Sequence, residues 1–339
     1  MKYRSKVFSN GCIAVDSLIS IDGFHPGARA RIQTHCHEDH LLGFDSSKSQ
    51  MVYLSEESRK ILIAERNADL AFRSNIIAIP DSGVEIANYK IRGLSSGHIR
   101  GGIMPLICTP DGYTVLYSSD FNVPNEGIRA RGCVDELIID ATYGDPQLQR
   151  NYSEDVVWDS FLEVLHDRAA IGSVVIVGYK GRLHSAMAAC HGMKNKQIVV
   201  GRKTSKTIRE FGVDCHSWIT PSRNMAEVLD CAREGRLLGF FQMHESREYM
   251  NIPARTRIAL SAYMVGKQVP VVSTGGDNFR IAITDHADFS GTIKLIEDVN
   301  PKRVLVDGSR GGHASVLAQY VSNELKIQAS AEMHLSDPR

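Results

Sequence analysis

The sequence predicts an α/β protein in which one domain is inserted into another. Two changes of rhythm carry that expectation. Through the first 145 residues short apolar runs alternate with turns, then from about Asn151 buried runs alternate with amphipathic helical stretches, as in a βαβ sheet. From about Val271 strand-like runs return, closed by two helices. At 339 residues the chain exceeds what one ordinary core takes. The expected division is an outer domain of residues 1–150 and 266–339 around an insert of 151–265.

The strands are expected at Cys12–Asp16, Ala30–Gln33, Gln50–Leu54, Ile76–Pro80, Tyr89–Leu94, Ile103–Cys108, Tyr113–Tyr117 and Leu137–Asp140. Thr109-Pro110-Asp111-Gly112 is a hairpin turn signal. Ser55–Glu65 reads as a helix, with acids in its first turn. In the insert, helices are expected at Asp155–Arg168, Gly181–Met193, Thr207–Phe211 and Ser222–Arg233. They alternate with the apolar runs Ser173–Val177, Gln197–Val200 and Leu237–Phe241. Helices Phe289–Asn300 and Ala314–Leu325 close the chain.

Composition sets limits. Hydrophobic residues make up 43% and charged residues 23%, ordinary for a globular protein. No apolar run reaches the roughly 20 residues that span a bilayer, so no membrane partner is expected. The N-terminal ten residues are basic but lack a signal-peptide core. The seven cysteines are scattered without a CxxC pair, which fits a reducing, cytoplasmic protein. Net charge is zero. Yet from Lys180 to Arg209 there is no acid, while Lys180, Arg182, Lys194, Lys196, Arg202, Lys203, Lys206 and Arg209 are basic. Such a block suits a polyanion, and equally a solvated surface.

The chemistry concentrates in Thr34-His35-Cys36-His37-Glu38-Asp39-His40, on a loop leaving a strand. His and Asp ligate borderline divalent cations such as zinc. His35 and His37 are placed to point the same way, with Asp39 and His40 at the start of a helix facing a second metal. Paired metals about 3.5–4 Å apart are a device for phosphoester hydrolysis. Four further pieces end apolar strands: His98 in Ser95-Ser96-Gly97-His98, Asp120 in Ser118-Ser119-Asp120-Phe121, Asp140, and Asp285-His286-Ala287-Asp288. The bland alternative for Asp285 or Asp288 is a helix N-cap. Convergence on metal and imidazole would relieve the cost of burying these carboxylates.

The order of these motifs resembles the metallo-β-lactamase superfamily. His35, His37, Asp39 and His40 match its HxHxDH signature, His98 and Asp120 its later ligands, and Asp16 its early structural Asp. Three more matches resemble the β-CASP branch of nucleases, which includes ribonuclease J, mRNA 3′-end processing factors and Artemis-like enzymes. They are Asp140-Ala141-Thr142-Tyr143, Gly181-Arg182 and Asp285-His286-Ala287-Asp288.

The resemblance implies an αββα sandwich carrying an inserted α/β domain. It implies two zinc ions held by His35, His37, Asp39, His40, His98, Asp120 and Asp307. RNA-acting members place His in a Val-His-Gly motif, whereas this chain has Val306-Asp307-Gly308, so Asp307 or His313 would complete the second site. Asp39 would orient hydroxide, His286 would protonate the leaving oxygen with Asp140 behind it, and Arg182 and Lys180 would clamp phosphate. The expected function is single-stranded nucleic-acid hydrolysis, RNA ahead of DNA. The alternatives are a DNA exonuclease of ligase-associated or Artemis-like type, a thioester or lactone hydrolase, and a non-catalytic binding subunit.

Overall fold

The computed structural model describes residues 3–335 except 46–49, 67, 123–133, 191, 194, 216 and 262–267. The chain forms two compact units, residues 1–149 with 286–339, and residues 150–285. The second boundary therefore falls at 285/286 rather than 265/266, and residues 265 and 266 themselves lie outside the described set. The reason is pairing. Asn278–Ile281 adds in parallel to Thr256–Leu260, and Val271–Gly275 pairs with Asn278–Ile281, so both strands extend the sheet of the second unit.

The first unit holds two seven-stranded sheets. One runs in the order Met333–His334, Ser5–Phe8, Ile13–Val15, Ile19–Ile21, Ala30–Ile32, Met51–Leu54, Ile76–Ala78. The other runs Gln328–Ser330, Arg303–Asp307, Glu136–Asp140, Thr114–Tyr117, Ile103–Cys108, Tyr89–Ser95, Val84–Ile86. Their facing side chains share one core, with Ile13, Ile19, Ile21 and Ile32 against Ile91, Ile107, Val115, Tyr117 and Ile138. The far face of the second sheet is covered by helices Phe289–Val299 and Ala314–Asn323 through Leu295, Ile296, Leu317 and Val321. Leu137, Ile138 and Ile139 have no exposed surface, because both faces of their strand are covered.

The second unit is a six-stranded sheet. Its parallel core runs Gln197–Val200, Leu237–Gln242, Val174–Gly178, Thr256–Leu260, Asn278–Ile281, with Val271–Gly275 antiparallel at the edge. Helix Glu154–Ile171 starts on Ser153, whose hydroxyl accepts from the Val156 amide, and buries Val157, Phe161 and Leu165 on one face. Among the described residues no helix is long and apolar enough to cross a membrane.

Thr256–Leu260, Arg303–Asp307 and Ile19–Ile21 are strands beyond those named from the sequence. The helix expected after Asp39 does not form. A 3-10 turn spans Glu38–His40 instead, because side chains take the carbonyls a helix would use. Arg31 donates to the carbonyls of His40 and Leu42 at 3.0 and 2.8 Å, and Gln33 Nε2 to that of His40 at 3.1 Å.

Candidate metal centre

Five loops of the first unit carry the site, and backbone hydrogen bonds lace them together. The Ile103 amide donates to the Thr34 carbonyl, the Asn122 amide to Ser96, and the Ala287 amide to Phe121, at 3.0, 3.0 and 2.7 Å. The His35, His98, Asp120 and His286 loops are thereby set in mutual register. Ser119 stands at φ +54°, the left-handed region, where the chain turns just before Asp120.

Ligand atoms of His35, His37, His98 and Asp120 lie within 4.8 Å of one another. His37 Nδ1 and His98 Nε2 are 2.9 Å apart, and Asp120 Oδ2 stands 3.8 Å from His35 Nε2 and 3.6 Å from His98 Nε2. A second group joins Asp39, His40 and Asp120, with His40 Nε2 3.2 Å from Asp120 Oδ1 and 3.7 Å from Asp39 Oδ2. Asp120 belongs to both. Beside them, His286 Nε2 is 3.9 Å from Asp120 Oδ2, while its Nδ1 is 3.6 Å from Asp140 Oδ2. The other Asp140 oxygen accepts from the Thr142 amide and hydroxyl.

Burial and neighbouring charge set the protonation of these groups. Burial, reinforced by His40 and His98, pushes His35 well below the usual imidazole range, so one ring nitrogen keeps its lone pair. Burial also disfavours charge on His40 and Asp120, but their mutual attraction wins. With help from Asp22, His40 rises to about 10, while the surrounding imidazoles hold Asp120 well below the usual carboxylate range. His35 Nδ1 lies 3.0 Å from Thr34 Oγ1, leaving Nε2 buried without a hydrogen-bond partner. A buried, neutral, unpartnered ring nitrogen beside an ionised carboxylate fits a cation. Three imidazoles and a carboxylate, with no thiolate, suit zinc or a similar divalent ion with an open position.

Asp22 is the residue that sequence reasoning missed. Its carboxylate accepts from the Thr34 amide at 2.8 Å and Gln33 Nε2 at 3.0 Å, and bonds His40 Nδ1 at 2.8 Å. Asp16, expected in that role, sits in a surface turn with Arg4 and Tyr89. The alternation Ile19-Ser20-Ile21 running into Asp22-Gly23 was the available signal.

Other expected residues lie elsewhere. Asp307 belongs to no donor group: Oδ1 accepts from Ser309, and Oδ2 from Tyr117 and Arg310, each at 3.1 Å. His313 is nearly half exposed and faces Asp145 at 3.8 Å. Asp288 caps helix Phe289–Val299, accepting from the Gly291 amide at 3.0 Å, so the bland reading holds for it. Arg182 in the second unit is buried and spends its guanidinium on Asp285 and the Ile283 carbonyl, which corrects the expectation of a phosphate clamp. Lys180 is buried as well.

The basic block divides. Lys196 donates to the Gly172 and Gly235 carbonyls, and Lys194 lies outside the described residues. Arg202, Lys206 and Arg209 are exposed, spaced along one side of a helical segment whose other side buries Thr204, Thr207 and Ile208.

No family model matches the chain. It is 31% identical over 107 residues to a protein of Acidianus ambivalens described only as an uncharacterised protein in the lig 3′ region, covering 31% of this chain and 75% of that protein. It is 25% identical over 341 residues to the protein artemis of Gallus gallus, covering 84% of this chain and 45% of that one. It is 27% identical over 139 residues to the human DNA cross-link repair 1A protein, covering 40% of this chain and 13% of that one. This chain thus covers less than half the length of the last two relatives. Among solved structures, a protein of unknown function from Enterococcus faecalis V583 shares the fold, with a TM-score of 0.58 at 13% identity over 93% of this chain and 81% of the other.

Proposed function

This chain belongs to the family of the Acidianus ambivalens protein, and we propose that it is a metal-dependent phosphodiesterase of the metallo-β-lactamase superfamily, β-CASP branch, acting on single-stranded nucleic acid. The observation that carries the reading is the pair of donor groups sharing Asp120, with His286 and Asp140 alongside. The similarity to artemis and the cross-link repair protein supports it, as does the two-sheet core flanked by helices.

His35, His37, His98 and Asp120 would hold one divalent ion, and Asp39, His40 and Asp120 a second. When bound, such ions acidify a water and neutralise charge on the attacked phosphate. The protein's own groups do the rest. The Asp39 carboxylate is more than half exposed and accepts a hydrogen bond from the attacking water. His286 carries a proton to the leaving oxygen from Nε2, which faces the site, while Asp140 behind Nδ1 stabilises the charged ring. On the second unit, Arg202, Lys206 and Arg209 offer three cations to successive backbone phosphates.

DNA is favoured over RNA as substrate. Within the His286-Ala287-Asp288 stretch, Asp288 is a helix cap, a task indifferent to the nucleic acid. The name of the human relative points to DNA. Cleavage of matched 5′-labelled single-stranded DNA and RNA by zinc-loaded protein tests the choice. DNA-only cutting is expected, and RNA-only cutting would return the protein to RNA processing. Hydrolysis of a lactone or thioester with neither strand cut would point to the small-ester alternative.

A further inference from the structure

Arg310 follows the strand that ends at Asp307, and its side chain is 13% exposed. Every arm of the guanidinium is engaged. Nη2 donates to the carbonyls of Gly11 and Asp22 at 2.6 and 3.3 Å, Nη1 to Asp307 Oδ2 at 3.1 Å, and Nε to the Asp39 carbonyl at 3.3 Å. Gly11 stands at φ +82°, and a Cβ there would come within 2.9 Å of Nη2, so glycine suits both the backbone and the close approach of this side chain. Two of the bonded residues govern the second donor group. Asp39 belongs to it, and Asp22 fixes His40 through Nδ1. Asp307 is meanwhile fully occupied by Arg310, Ser309 and Tyr117.

We infer that Arg310 is a positioning residue for the Asp39–His40–Asp120 group. It sets the backbone of the Asp39–His40 turn and retains Asp307 as its own counter-ion, so Asp307 is not a metal ligand. A planar fork with donors on three sides can tie Gly11, Asp22, Asp39 and Asp307 together, and an ammonium on a flexible stem cannot. None of those bonds reaches His35, His37, His98 or Asp120, so the first group is expected to feel the loss of Arg310 less than the second. The inference rests on reading both donor groups as metal sites.

Metal-free wild-type protein and the variants Arg310→Met, Arg310→Lys and Asp307→Asn are titrated with Co²⁺. Visible absorption reports the ligand field, and native mass spectrometry the number bound. Wild type is expected to show two steps. Both Arg310 variants keep the first step and its spectrum, which also reports that the first unit has folded, while the second weakens at least about tenfold, as for lost supporting contacts at metal sites. Asp307→Asn still accepts from Arg310 and keeps both steps within about threefold, a change small beside that supporting-contact range. Loss of the second step in Asp307→Asn would make Asp307 a ligand and overturn the inference. So would a second step unmoved in both Arg310 variants, or a first step that falls equally. Wild-type protein taking up no Co²⁺ would instead refute the metal sites themselves, and this inference with them.

Discussion

Asp22 Oδ2 and His40 Nδ1 lie 2.8 Å apart with no exposed surface on either side chain. The contact fixes which nitrogen of His40 faces Asp120, the role a carboxylate plays behind a metal-ligating imidazole. Asp22→Asn presents an amide to donors that need an acceptor. Its metal affinity is expected to fall about 10–100-fold, measured by competition with a chelator. An unchanged affinity would reduce Asp22 to a purely structural brace.

His286 and Asp140 are expected to act in catalysis without holding metal. His286→Ala should lower kcat by about 10²–10⁴-fold, in keeping with loss of a general acid, and leave metal content at the wild-type level. Asp140→Asn should lower kcat less and shift the basic limb of the pH–rate profile. Metal content read by mass spectrometry separates this from a ligand role, since a His286→Ala protein that loses metal would be a ligand variant.

The exposed cations of the second unit should contribute to binding but not to chemistry. Replacing Arg202, Lys206 and Arg209 together by Ala is expected to weaken single-stranded DNA binding and reduce the slope of log K against log salt by about 2, at roughly 0.7 per phosphate contact. Hydrolysis of bis(p-nitrophenyl) phosphate, which carries no flanking backbone phosphates, should be unchanged. A salt slope equal to wild type would leave this stripe as a solvated face.

His184 makes the second unit acid-sensitive. Its ring stacks on Phe211 at 3.9 Å and lies 3.0 Å from Thr207 Oγ1 through Nε2, while Nδ1 accepts from the Gly181 amide. Burial, then Lys180, lower its pKa to about 3. Because the folded pKa lies below the unfolded one near 6.5, the unfolded chain binds the extra proton. The stability is complete above pH 6.5 and is lost as pH falls toward 3, at up to about 1.4 kcal/mol per unit. Both tryptophans, Trp158 and Trp218, lie in this unit, so their fluorescence reports it. Urea unfolding at pH 7 and 5 should show a loss for wild type that is about 2 kcal/mol smaller in His184→Gln. Equal losses would place the acid sensitivity elsewhere.

The donor residues were legible because each had to sit in a loop leaving an apolar strand. His35 and His37 share one His/Asp-rich run, and His98 and Asp120 gained weight only beside it, as loop residues after apolar strands; in the structure their ligand atoms lie within 4.8 Å of one another. What escaped the sequence was second-rank support. Asp22 and Asp16 both follow apolar runs, and only the packing of Gln33, Thr34 and His40 around Asp22 distinguishes them. Arg31 and Gln33 replaced the expected helix at Asp39 with a 3-10 turn by claiming the His40 and Leu42 carbonyls, an effect helix propensity does not contain. The insert boundary slipped because Val271–Gly275 reads as a strand of either unit until its partner is known. The resemblance placed Arg182 on phosphate, whereas its guanidinium is held by Asp285, 103 residues along the chain.

The central claim is that His35, His37, His98 and Asp120 form a metal centre that cuts nucleic acid. Chelator-stripped protein is assayed on labelled single-stranded DNA before and after stoichiometric Zn²⁺ is returned, with His37→Ala in parallel. The account predicts no cutting when stripped, cutting restored by zinc in wild type, and none in His37→Ala at any zinc level. Cutting by the stripped protein, or by zinc-treated His37→Ala at the wild-type rate, would contradict it.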